Sequence, residues 1–169
     1  MRLPVYTVAL SGLMASPALA ADLTLSLEIP RLTVAEYHRP YVAVWIENAD
    51  KTAVKTLAVW YDVKKKDAEG EKWLKDMRQW WRRAGRDLKM PVDGVSAATR
   101  APGKHQVVFS AAKIGNLPAG EYNVVVEAAR EVGGVEVVRT PFQWPPKAPA
   151  TTSAAGSTEL GALSLTAKP

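Results

Sequence analysis

The chain has 169 residues, 47% of them hydrophobic, which suits one cored domain and excludes a wholly disordered polypeptide. It has no cysteine and only two histidines, His38 and His105, so disulfide staples, thiol catalysis and a multi-histidine metal centre are excluded. The formal charge is +5, with basic clusters at Lys64-Lys65-Lys66 and at Arg82, Arg83 and Arg86 that read as solvated faces.

Residues 1–20 have the pattern of a cleavable export signal. Arg2 gives a basic start, an apolar run extends from Val5 to Ala15, and Ala18-Leu19-Ala20 supplies small-x-small before the cut. Loss of Arg2 with the signal leaves a mature charge of +4. The apolar run is too short to cross a bilayer, and no later segment approaches ~20 apolar residues. The expectation is an exported, periplasmic product that does not span the membrane. Nucleic acid is excluded as a partner there, while an anionic lipid or acidic protein suits the basic clusters.

Residues 23–29 alternate strictly and predict a half-buried strand. Residues 41–46, apolar on both faces, predict a central strand, and the polar turn 47–51 joins it to a third strand over 54–63. In that strand Leu57, Val59, Tyr61 and Val63 are expected on one face, with Ala58 and Trp60 on the other. A helix is expected over 70–84, because Trp73, Leu74, Met77, Trp80, Trp81 and Ala84 form one stripe, with Gly85 as its stop. That stripe is expected to pack on the sheet.

Residues 87–104 read as an irregular loop, and strand pattern resumes at 105–110. The run from Leu117 to Glu131 resembles the entry to strand F of immunoglobulin-like and fibronectin-like sandwiches, with Tyr122 as the tyrosine that hydrogen-bonds back to the corner. Gly133-Gly134 is expected to make a two-residue hairpin into Val135–Phe142. Residues 145–157 have linker composition, and 158–169, with Leu160, Leu163 and Leu165, are either a last strand or a loose tail. The expected architecture is a mostly β, antiparallel immunoglobulin-like β-sandwich over 21–144 with one inserted amphipathic helix.

No hydrolase, nucleotide or zinc-protease motif is present, and no catalytic residue is assigned. Glu127 and Glu131 beside Arg130 are expected on solvent faces, and His38 as a hydrogen-bonded loop residue rather than a metal ligand.

Several stretches taken together resemble one family: 37–47, Leu57-Ala58-Val59-Trp60, the Trp73 to Trp80 segment, 98–103, and Val126-Glu127-Ala128-Ala129-Arg130-Glu131. They are similar to the predicted periplasmic proteins grouped as domain of unknown function 2271. The resemblance implies association with membrane flavoproteins of the PepSY type and with flavin transferases, in iron or redox settings. A non-enzymatic accessory domain serving a membrane redox or transport partner is therefore the expected role.

The same association gives meaning to Asp93-Gly94-Val95-Ser96-Ala97-Ala98-Thr99. This run is similar to the acceptor motif of flavin transferases, in which the last threonine carries flavin mononucleotide (FMN) through a phosphodiester. Asp93, Ser96, Ala98 and Thr99 match, whereas Ala97 stands where that motif has glycine. The resemblance implies attachment at Thr99, with Asp93 serving recognition or metal positioning. A redox carrier with FMN at Thr99 is the alternative role.

Overall fold

The computed structural model describes residues 21–169, so the export signal expected over 1–20 lies outside the described residues. Strict alternation in the first strand, β1 (Asp22–Ile29), has its expected result: Leu23, Leu25, Leu27 and Ile29 are buried, and Thr24, Ser26 and Glu28 face outward. It is followed by β2 (Tyr41–Asn48), β3 (Ala53–Tyr61), β4 (Ser96–Ala98), β5 (Gly103–Phe109), β6 (Gly120–Ala129), β7 (Val135–Trp144), β8 (Ala150–Ala155) and β9 (Ala162–Lys168). The strands form a four-stranded sheet in the order β5-β1-β9-β8 and a five-stranded sheet in the order β4-β3-β2-β6-β7. The two pack as a sandwich, with Val42, Val44, Ile46, Val124 and Val126 of the second sheet meeting the leucines of β1 and β9.

The other face of the second sheet is buried too, which is why β2 is apolar on both sides. Ala43, Trp45, Val59, Tyr61 and Val125 form a second core with Leu74, Met77 and Trp80 from the segment that leaves β3. That segment is not the continuous helix expected over 70–84. It is a 3-10 stretch, Lys66–Asp76, interrupted by Asp67 and Ala68 at positive φ, followed after Met77 by a short helix, α1 (Arg78–Arg83). Leu74, Met77 and Trp80 recur every three residues, the period at which 3-10 side chains eclipse, and they are the members of the tryptophan stripe that are fully buried. Trp81 is partly buried against the same core and Trp73 is 46% exposed, so the packing expected of all three tryptophans holds fully for Trp80, in part for Trp81 and not for Trp73. α1 ends just before Gly85, where a Cβ would come within 2.6 Å of the Trp80 ring.

Two carboxylates anchor this cap. Glu127, expected on a solvent face, is fully buried in β6 and accepts from the Gln79 and Trp80 N–H groups at 3.0 and 2.7 Å, satisfying donors at the start of α1. Glu47, also fully buried, receives Arg83 and Arg139 at 2.6 Å each, so Arg83 is turned inward rather than sharing a solvated basic face.

Other departures are local. A bulge pairs Val44 with Ala58 and Trp45 with Thr56, which leaves Leu57 unpaired and sends it to the first core beside Trp60 instead of joining Val59 and Tyr61. The loop expected over 87–104 contains β4, which pairs in parallel with β3 and breaks the all-antiparallel pattern. The β6–β7 hairpin is closed by Arg130 N–H to the Gly134 carbonyl at 3.1 Å, with Val132 rather than a glycine at positive φ. Within the expected linker, β8 forms an edge strand, and β9 settles the alternative left open at 158–169 by pairing between β1 and β8. Tyr122 does make the corner: its hydroxyl donates to the Pro118 carbonyl at 2.9 Å.

The turn between β8 and β9 wraps around a carboxylate from the second sheet. Glu136 of β7 accepts from the Ser157, Thr158, Glu159 and Leu160 N–H groups and the Ser157 hydroxyl, at 2.6–3.1 Å. Burial pushes its pKa up, but these donors outweigh that and bring it down to about 2.

Candidate functional site

Strand direction gathers one set of loops. β2 starts, β3 and β4 stop, β6 stops and β7 starts at the same end of the second sheet, as the pairings Tyr41 with Ala129, Tyr61 with Ala98 and Ala129 with Val135 require. Around that end the chain encloses a cleft of about 750 Å³. Its walls come from Tyr37–Arg39, the start of β2, the Asp62–Arg78 cap, Thr99 and the β6–β7 hairpin. A cleft of this volume lies in the range that small-molecule sites occupy.

Most charges on the wall are internally matched. Lys65 meets Asp62 at 3.2 Å, and His38 lies 2.8 Å from Glu36 and 3.5 Å from Glu131, the hydrogen-bonded loop role expected of it. Tyr41 donates to the Gly70 carbonyl at 3.1 Å, and burial, with Asp62 nearby, pushes its pKa to about 12. Trp73 presents its indole on the wall with nearly half its surface free.

The inner wall is different. Arg130, also expected near the surface, is buried and grips the buried Glu159 with Nε at 2.8 Å and Nη2 at 3.1 Å. The hairpin lies directly over the guanidinium, since a Cβ on Gly133 would sit 2.5 Å from Arg130 Cζ. The remaining nitrogen, Nη1, is buried without a hydrogen-bond partner, and so is the Tyr37 hydroxyl. Burial pushes the Tyr37 pKa up, opposed by the Arg130 charge, so the hydroxyl keeps its proton. Two buried donors without partners carry a cost of about 1–3 kcal/mol each.

The flavin-motif residues separate in space. Thr99 follows β4 directly and stands on the cleft wall, partly buried. Asp93 is exposed in the preceding turn, and Ser96 Oγ accepts from Val92 N–H at 2.9 Å, closing that turn. Neither lines the cleft. Ala97 is paired with Trp60 in extended β4, a conformation that makes no use of the backbone freedom glycine would bring. Lys113, in the short helix α2 (Ala111–Ile114), donates to the Gly94 carbonyl and ties the turn down.

Sequence reasoning missed Tyr37, Arg130 and Glu159 as a group, because their contacts join a loop before β2, the end of β6 and the β8–β9 turn. The one signal available was the placement of Glu127 within, and Arg130 directly after, the otherwise apolar run 124–129. Among the described residues no three His, Asp or Glu side chains are grouped to hold a metal ion. No helix of the described residues is long and apolar enough to cross a membrane.

No curated protein and no solved structure matches the chain. A family model described as "Predicted periplasmic protein (DUF2271)" matches residues 22–162, from β1 to the first residue of β9, and the chain belongs to that family.

Proposed function

We propose that this protein is an exported, non-catalytic binding domain that acts in the periplasm with a membrane redox or transport protein, a PepSY-type flavoprotein or an iron-related one. The observation that carries the reading is the end cleft, whose lining includes a half-exposed tryptophan together with Arg39 and Arg78, neither in an ion pair among the described residues. Exposed aromatic surface beside charged side chains in a concave cleft is what a recognition site presents before its ligand arrives. Export by residues 1–20 brings the domain to the same compartment as the outer face of such a partner. A photo-crosslinker placed at Val132, on the hairpin rim, tests this in cells of the native host. Adducts with the PepSY-type membrane protein, lost in Trp73→Ala, are the expected result. Crosslinks that ignore the cleft variant refute it.

A second reading is a redox carrier with FMN joined to Thr99, and the position of Thr99 on the cleft wall favours it. A flavin transferase would join the threonine oxygen to the phosphate of FMN, with flavin adenine dinucleotide as donor and adenosine monophosphate as leaving group. The isoalloxazine would then share the cleft with Trp73. Coexpression with a periplasmic flavin transferase should add one FMN per chain, abolished by Thr99→Ala and weakened by Ser96→Ala. Unmodified intact mass in both the wild type and Ala97→Gly, beside a fully modified control acceptor, removes this reading.

A further inference from the structure

We propose that the arginine-rich end of the cap, residues 78–89, is a docking face for an anionic lipid bilayer, held by charge and not by insertion. This goes beyond the cleft reading and stands independently of it. Five cations, Arg78, Arg82, Arg83, Arg86 and Lys89, occupy the segment against Asp87 alone. Its net +4 equals the whole charge of the mature chain, so the remaining residues are balanced and the positive field has one source. The carboxylates beneath the segment do not cancel that field. Glu47 is buried and receives both Arg83 and Arg139, and Glu127 is buried against the Gln79 and Trp80 N–H groups. With these two carboxylates and Arg139 counted in, the face keeps +3.

The cations are presented outward. Arg78 and Arg82 are exposed one turn apart on α1, and Arg82 Nε donates to the Arg78 carbonyl at 3.3 Å, which leaves its terminal nitrogens for another acceptor. Arg86 and Lys89 are exposed in the turn and loop that follow. Among the described residues Arg78, Arg82 and Lys89 have no ion-pair partner, and Arg86 has only Asp87 at 3.8 Å. A guanidinium fork matches the paired oxygens of a phosphodiester. The apolar side chains of the segment are turned inward: Trp80 is fully buried, and Trp81, Ala84 and Leu88 pack against the second core. The face is therefore charged without an apolar centre. A specific protein interface is built around such a centre, whereas a layer of lipid phosphates needs only the opposite charge.

The experiment sediments the mature protein with vesicles of phosphatidylcholine and phosphatidylglycerol in equal parts, and with vesicles of phosphatidylcholine alone. Binding to the anionic vesicles at low salt is expected, and none to the neutral ones. It should be lost in about 0.5 M sodium chloride, where screening shortens the reach of a charge to a few ångström. Arg82→Gln with Arg86→Gln removes two cations and should weaken binding about 25-fold, roughly fivefold for each. Lys64→Gln with Lys66→Gln removes the same charge from the start of the cap and should change binding less than about twofold. All four positions are exposed, so both variants should melt with the wild type. Equal loss in the two variants overturns the face, because net charge alone would then explain the binding. Equal binding to neutral vesicles, or silence on the anionic ones, also overturns it. Retention on immobilised polyglutamate, lost in Arg82→Gln with Arg86→Gln, would then assign the face to an acidic protein. The crosslinking at Val132 judges the cleft reading whatever the vesicles show.

Discussion

Glu136→Gln isolates a single carboxylate whose work is confined to one turn. In the wild type the group falls from an ordinary 4.5 to about 2, because four N–H groups and a hydroxyl converge on it. At about 1.4 kcal/mol per unit that difference corresponds to roughly 3 kcal/mol, and partial solvent exposure reduces it to about 2 kcal/mol. The folded-state pKa is depressed, so the stabilisation is fully present above pH 4.5 and is lost as pH falls towards about 2. Glutamine keeps the shape, one acceptor and no charge, and turns an amide N–H₂ towards donors. Urea denaturation should therefore show the variant about 2 kcal/mol less stable at neutral pH, with the gap closing steadily below pH 4.5. Hydrogen exchange at Ser157–Leu160 should rise in step. A gap that stays constant down to pH 2.5 refutes the argument, since it would mean that the loss comes from shape and not from the charge.

Other expectations follow from burial and single contacts. Trp80→Ala removes a fully buried indole whose Nε1 donates to Thr56 at 3.1 Å, and should cost about 3–5 kcal/mol in denaturant unfolding. Trp73→Ala, at the half-exposed position, should stay within about 0.5 kcal/mol of wild type in the same assay. Tyr122→Phe deletes the corner hydrogen bond and should cost about 1 kcal/mol by thermal unfolding. N-terminal sequencing of periplasmic material should begin at Ala21, and a start at Met1 would remove the export signal from the account.

What could be read from the sequence was whatever period and composition encode locally. Alternation placed β1, the double-sided apolar run placed β2 in the middle of its sheet, and the tyrosine after Pro118 placed the corner. The helical cap was misread because a stripe at 73, 74, 77, 80, 81 and 84 satisfies a 3.6-residue period, while the fully buried subset keeps a period of three. Nothing in the residue types marks which members meet the sheet. Strand β8 was hidden by its composition. Thr151 and Ser153 face outward from an edge strand, in register with Thr166 and Ser164, and such small polar residues also make linkers. The cleft was the least legible feature. Thr99 was singled out for a motif, and its place on the wall depends on a parallel pairing of only three residues. Tyr37, Arg130 and Glu159 meet only after both sheets are assembled.

The place of β9 has a consequence for how the domain comes into being. It lies between β1 and β8, and Asp22 pairs directly with Lys168. Every residue between them must therefore be made before the four-stranded sheet can zip shut. Such far-apart pairing makes folding slow and postpones it until synthesis of the strand is finished. During that interval β1 has only β5 for a neighbour, and its leucines lack Leu163 and Leu165 of β9 at their side. The final strand thus acts as the latch of that sheet, and the β1 edge stays open until it arrives.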